Sequence, residues 1–199
     1  MTRRRLSPGL ALLLTTLLGS VQACSGLPRI VIVHDPLTPQ EHVTLGEAYQ
    51  VQGERKMAAR EFEAALRQQM EYVPALIGMG NLSFERGALE EAEIFYRRAL
   101  GTAPGHSGAS NNLAMVYLAR GDRLDEAERM ARNALERGGP LRPYALETLA
   151  RIYVRQGRYR EAQAALEWAE AMVPAEDTRF HQGLSRSRRE LAAVYTPDE

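Results

Sequence analysis

Apolar residues recur at i, i+3, i+4 and i+7 through most of the chain beyond Pro39. This is the period of helices with one buried face, not of strands. The helices come in pairs. LGEAYQVQG precedes KMAAREFEAAL, MGNLSFERG precedes EEAEIFYRRAL, LAMVYLARG precedes DEAERMARNAL, and LARIYVRQG precedes REAQAALEWAE. A glycine closes the first helix of each pair: Gly53, Gly87, Gly121 and Gly157, the first three 34 residues apart and the last 36. Gly46, Gly80, Ala114 and Ala150 share one position in the first helices; Ala58, Ala92, Ala127 and Ala162 share one in the second. Small side chains there let antiparallel helices approach closely, while Tyr49, Phe62, Tyr96, Tyr117 and Tyr153 fill the adjoining holes.

A helix–turn–helix unit repeated at this period resembles the tetratricopeptide repeat family, over about 135 residues. The resemblance implies an all-α fold, a right-handed α-solenoid of about four repeats at 39–72, 73–106, 107–142 and 143–176. Residues 177–199 are expected to form a capping helix and tail, with Phe180, Leu184, Leu191 and Val194 on its apolar side. Such a cap is required because each unit buries its apolar face only against a neighbour. Repeat three carries one extra residue after Gly121, has Ala131 where a large aromatic is usual, and is followed by Gly138-Gly139-Pro140. It is expected to be looser than its neighbours, or else to carry a neutral insertion in an exposed turn.

The first 23 residues have a different pattern. Arg3-Arg4-Arg5 precedes the apolar run Leu10–Leu18, and small and polar residues lead to Cys24, the single cysteine. This is the layout of a secretory signal peptide, too short for a membrane span. Val21-Gln22-Ala23-Cys24 resembles a bacterial lipoprotein signal box, which implies diacylglycerol on the Cys24 thiol and cleavage before it. The alternatives are an ordinary signal with a free thiol and, from the adjacent arginines, a twin-arginine export signal. Ser25 follows the cysteine, whereas an aspartate there would imply inner-membrane retention, so the resemblance favours the periplasmic side of the outer membrane. Residues 24–38 form the tether; its Ile30-Val31-Ile32-Val33 run is expected to lie extended against the first repeat or to pair as a strand with a partner.

Composition narrows the function. The 25 basic and 25 acidic residues balance, and removal of three signal arginines leaves −3. A nucleic-acid binder would need a concentrated basic surface, so none is expected. The four histidines are scattered, and no HExxH, paired CxxC, Walker-type loop or GxSxG is present. No catalytic residue, metal site or cofactor is expected, and Glu90, Glu91 and Glu93 suit the positive end of a helix dipole.

By alignment with the family, the concave groove is lined by first-helix residues. These are Val43, Glu47 and Gln50, then Ile77, Asn81 and Phe84, then Asn111, Asn112, Met115 and Leu118, and finally Glu147, Arg151 and Arg155. A peptide site is expected at Asn81, Phe84, Asn111, Asn112, Met115, Arg151 and Arg155, with amides bonding a peptide backbone and arginine meeting an acid. The alternative is that these residues solvate the groove or bond between helices. Ile77 and Thr148 stand where the carboxylate-clamp subfamily has cations, which argues against that clamp. The function implied is a membrane-anchored scaffold for a protein or peptide partner in envelope assembly, of pilus, secretin or outer-membrane type. The alternative is an adaptor for a peptidase or peptidoglycan hydrolase.

Overall fold

The structure is a computed structural model that describes residues 35–196. The signal segment, Cys24 and the Ile30–Val33 run lie outside the described residues. Leu37 onward is one compact unit. Among the described residues it contains nine α-helices and no strand. They are α1 (Pro39–Val51), α2 (Arg55–Gln68), α3 (Val73–Glu85), α4 (Leu89–Thr102), α5 (Ser107–Arg120), α6 (Leu124–Arg137), α7 (Arg142–Arg155), α8 (Tyr159–Ala171) and α9 (Thr178–Ala192). The all-α expectation is borne out. No described helix is long and apolar enough to cross a membrane.

Local chemistry sets the helix ends. Thr38 and Glu41 form a reciprocal capping box at the start of α1, with Pro39 in its first turn, which satisfies two otherwise orphaned donors. The His106 and Asp177 side chains accept the Ala109 and Phe180 amides to open α5 and α9. The four turn glycines all have positive φ, from 73° to 80°, a conformation that any Cβ would strain. Their 34-residue period is therefore a conformational requirement repeated in every unit.

Consecutive helices pack pairwise, and the small residues sit at the closest approaches. Ala58, Ala92, Ala114, Ala127, Ala150 and Ala162 are fully buried. A Cβ on Gly80 would stand 2.5 Å from the Tyr96 ring, so Gly80→Leu should overpack the α3–α4 pair and cost about 1–3 kcal/mol. Urea melts of this variant check the register; an unchanged midpoint would remove Gly80 from the interface.

The extra residue of repeat three does not open that pair. Arg123 takes up the insertion in a left-handed conformation (φ 49°) just before α6, and Arg120 holds Asp122 at 2.7 Å. Ala114, Ala127 and Ala131 stay fully buried. Gly138 and Gly139, both with positive φ, lead through a short 3-10 turn into α7.

Polar staples join successive units across α4–α5 and α6–α7. Glu93 accepts from Arg97 (2.8 Å), Arg120 (2.6 Å) and Arg123 (2.8 Å), and from the Tyr117 hydroxyl (3.1 Å). Arg97 also donates to Tyr117 at 2.7 Å. Glu128 repeats the device with Arg132 (2.8 Å) and Arg158 (2.7 Å), and Arg132 reaches Tyr153 at 2.9 Å. Arg123 and Arg158 lie over the Tyr117 and Tyr153 rings, 5.3 and 4.3 Å from their centroids. Burial alone would raise both carboxyls. Hydrogen bonds from Arg97 and Tyr117 to Glu93, and from Arg132, Gln156 and Arg158 to Glu128, outweigh it and hold both below the usual carboxylate range. Glu93 is thus a junction residue, not only a favourable charge near a helix start.

The C-terminal helix α9 covers the last pair through Phe180, Leu184, Ser187 and Leu191. Val194, expected on this apolar side, is 53% exposed, because α9 ends at Ala192 and the helical register stops short of it. Ser187 occupies the buried stripe instead, its hydroxyl donating to Glu147 of α7 at 3.0 Å. Tyr195 folds back to stack on Tyr159, with ring centroids 5.4 Å apart.

Candidate concave-wall site

The first helices α3 and α5 bring four of the sequence-predicted residues, Asn81, Phe84, Asn112 and Met115, to one pocket of about 280 Å³. Gln50, Glu85 and Tyr96 complete its repeat-borne lining, and Arg179 of α9 joins it from the cap. Phe84 and Met115 are half-buried and give the pocket its apolar surface.

The polar part of the pocket is already ordered. The Asn81 side-chain oxygen accepts from the Tyr96 hydroxyl at 2.8 Å and from the Asn112 amide at 2.9 Å. The two asparagines therefore bond between helices, as the alternative reading held, and they also line the pocket. The Asn81 amide nitrogen and the Asn112 carbonyl enter none of these bonds, so donor and acceptor capacity remains. Burial drives the Tyr96 hydroxyl far above the ordinary tyrosine range, so it stays a neutral donor to Asn81. Glu85 is engaged by Gln50 at 2.6 Å and Arg55 at 3.4 Å.

The other predicted site residues lie elsewhere. Asn111 is 8% exposed, with its amide nitrogen 3.8 Å from the Met115 sulfur and its oxygen buried without a partner among the described residues. Arg151 faces Glu190 of α9 at 3.7 Å, and Glu147 is bonded to Ser187. The cap thus engages the repeat-four wall that the alignment assigned to a partner. Arg155 lies over the Gly121 turn, where a Cβ would meet its guanidinium at 2.8 Å, and does not line the pocket. Val43 and Leu118 are 2% and 4% exposed; they face the core, since the buried stripe of these helices is wider than the family alignment allots.

Arg179 has no counterpart in the repeats, so no periodic signal identified it. The staples did carry one. Glu93 and Glu128 both follow the recurring alanine of their own helix, with Arg97 and Arg132 one turn on and a tyrosine in the next first helix.

Two tetratricopeptide repeat family models match the chain, one over residues 43–107 and the other over 107–175. No curated protein matches the chain. Among solved structures, a thermophilic tetratricopeptide repeat protein of Thermus thermophilus is 22% identical with a TM-score of 0.65, covering 78% of this chain and 87% of its own. A repeat protein of Parabacteroides merdae is 22% identical with a TM-score of 0.61 over 83% of this chain and 67% of that one. Pseudomonas aeruginosa pilF is 21% identical with a TM-score of 0.61 over 80% of this chain and 74% of that one. These likenesses concern the fold. With two adjacent matches running from residue 43 to 175 and helix pairs at the matching period, the chain belongs to the tetratricopeptide repeat family.

Proposed function

We propose that this protein is a lipid-anchored scaffold of the bacterial envelope, attached through Cys24 on the periplasmic side of the outer membrane. It works by holding a protein partner against its concave wall, not by catalysis. The process we assign to it is assembly of a pilus secretin or another outer-membrane complex. A repeat array serves protein binding, and the observation that supports this wall as the place is the pocket itself. It combines half-buried Phe84 and Met115 with amides fixed in position by Tyr96. Such an arrangement offers apolar contact beside directional polar groups without a large reordering cost.

The anchor rests on the sequence around Cys24. Cys24→Ala should release the protein from membranes or leave an unprocessed precursor, as followed by membrane fractionation and intact-mass spectrometry. An unmodified Cys24 in the mature wild-type chain would remove the lipid anchor from this reading. The scaffold itself is tested by site-specific photocrosslinking from position 115 in native membranes, which should trap a defined envelope protein. Crosslinks to a peptidase or peptidoglycan hydrolase would favour the adaptor role instead.

A further inference from the structure

Arg179, the second residue of α9, is exposed and lines the concave pocket, and its side chain makes no ion pair or hydrogen bond among the described residues. On the same helix Arg188 holds Glu170 at 2.6 Å and Glu190 faces Arg151, while Arg186 and Arg189 line a different surface. We infer that this pocket selects an extended partner segment bearing an aspartate or glutamate side chain beside an aliphatic one. The carboxylate meets Arg179, and the aliphatic chain lies on Phe84 and Met115. The inference rests on the concave-wall reading above and adds the chemistry of the partner.

Size comes first. A volume of about 280 Å³ lies just under the ~300–1,000 Å³ of small-molecule pockets. It holds one or two side chains and not a helix, which is ~10–12 Å across. The donor–acceptor balance comes next. The Asn81 oxygen already accepts two hydrogen bonds, and the Tyr96 hydroxyl hydrogen is used in one of them. What remains is weighted toward donors: the Asn81 amide nitrogen and the five N–H groups of Arg179, the Asn112 amide being shared between Asn81 and the Tyr96 hydroxyl. Glu85, the one acid of the lining, is already engaged by Gln50 and Arg55. The unmet chemistry is therefore cationic, and a guanidinium fork matches a carboxylate in shape as well as charge.

A side-chain carboxylate fits better than a chain end. The Asn81 amide nitrogen and the Asn112 carbonyl together retain a donor and an acceptor, as a peptide unit within a continuous chain requires. Glu85 on the same lining disfavours a carboxylate fixed close to the backbone, whereas a side chain can extend to Arg179.

The test uses the full chain and three N-acetylated, C-amidated pentapeptides, Ala-Leu-Asp-Leu-Ala and its Asn and Lys counterparts, followed by calorimetry. The Asn peptide with a free C-terminal carboxylate is the fourth probe. The Asp peptide should bind the wild-type chain at least about tenfold more tightly than the Asn peptide, equivalent to about 1.4 kcal/mol. Arg179→Gln should erase that preference, Arg179→Lys should keep part of it, and Arg179→Glu should transfer it to the Lys peptide. Arg186→Gln, on the same helix but outside the pocket, should change nothing. Thermal melts of the Arg179 variants should match wild type, because the side chain has no partner to lose. Equal binding of the Asp and Asn peptides overturns the inference, as does a Kd weaker than about 1 mM for the Asp peptide. Survival of the preference in Arg179→Gln also overturns it, and tighter binding of the free-carboxylate peptide assigns the pocket to a chain end. If Arg179→Gln still crosslinks the same envelope protein in full, this inference fails while the scaffold stands. If the wild-type chain traps no protein, the scaffold reading fails.

Discussion

Phe62→Ala should lower stability by about 3–5 kcal/mol, the range for removing a fully buried aromatic side chain. Phe62 has no solvent exposure, and its ring lies between two glycines on different repeats. A Cβ on Gly46 of α1 would stand 2.7 Å from the ring, and one on Gly78 of α3 would stand 2.6 Å from it. The ring of α2 thus packs directly on the backbones of both flanking first helices, and it is part of the separate cluster that joins repeat one to repeat two. Alanine leaves a void walled by helix backbone, which cannot collapse as side chains would. The companion change Gly78→Ala should cost about 1–3 kcal/mol by overpacking, but much less once the ring is gone. Urea melts of both single variants and the double variant should therefore show a combined loss about 0.5–3 kcal/mol smaller than the sum. Additive losses would mean that the ring and Gly78 do not constrain each other.

Gly46 and Gly80 were legible in the sequence as close-approach positions because each has copies in the other repeats. The turn glycines were legible for the same reason, since every unit needs the same left-handed residue. Gly78 was not, because Thr44, Asn112 and Thr148 stand at its position in the other repeats. The site shows the same division. Asn81, Phe84, Asn112 and Met115 share equivalent walls of successive first helices, so alignment with the family gathered them, and they line one pocket. The contact of Arg151 with Glu190 carried no periodic signal, because α9 lies outside the repeat. Arg179 escaped notice for the same reason: how the cap meets the wall has no second copy in the chain. Glu93 was read from its place in a helix alone, while its role depends on Tyr117, Arg120 and Arg123 of the next repeat.

Glu93→Gln and Glu128→Gln should each cost about 1.5–3 kcal/mol near neutral pH, the range for a hydrogen bond to a charged group. Both carboxylates are well covered, with 13% and 15% side-chain exposure, so solvent screens them less than a surface pair. Each loss arises between repeats: the acid sits on a second helix, and the tyrosine and a further arginine come from the next unit. The pH dependence follows from the depressed carboxyls. A group whose folded pKa lies below its ordinary value of 4.5 contributes stability that is fully present above that value. It is lost as pH falls through the folded value. Wild-type stability should therefore drop below about pH 4.5, and the doubly substituted chain should show a shallower drop over the same interval. The first junction has no such staple, since Ala59 and Glu63 stand at the positions of Glu93 and Arg97, and Ser83 at that of Tyr117. Amide exchange should then find repeat one opening at lower free energy than repeats two to four in wild type. The substitutions should bring the later repeats toward repeat one and leave repeat one itself unchanged. Equal acid sensitivity of wild-type and doubly substituted chains would mean that the two carboxylates do not couple the repeats.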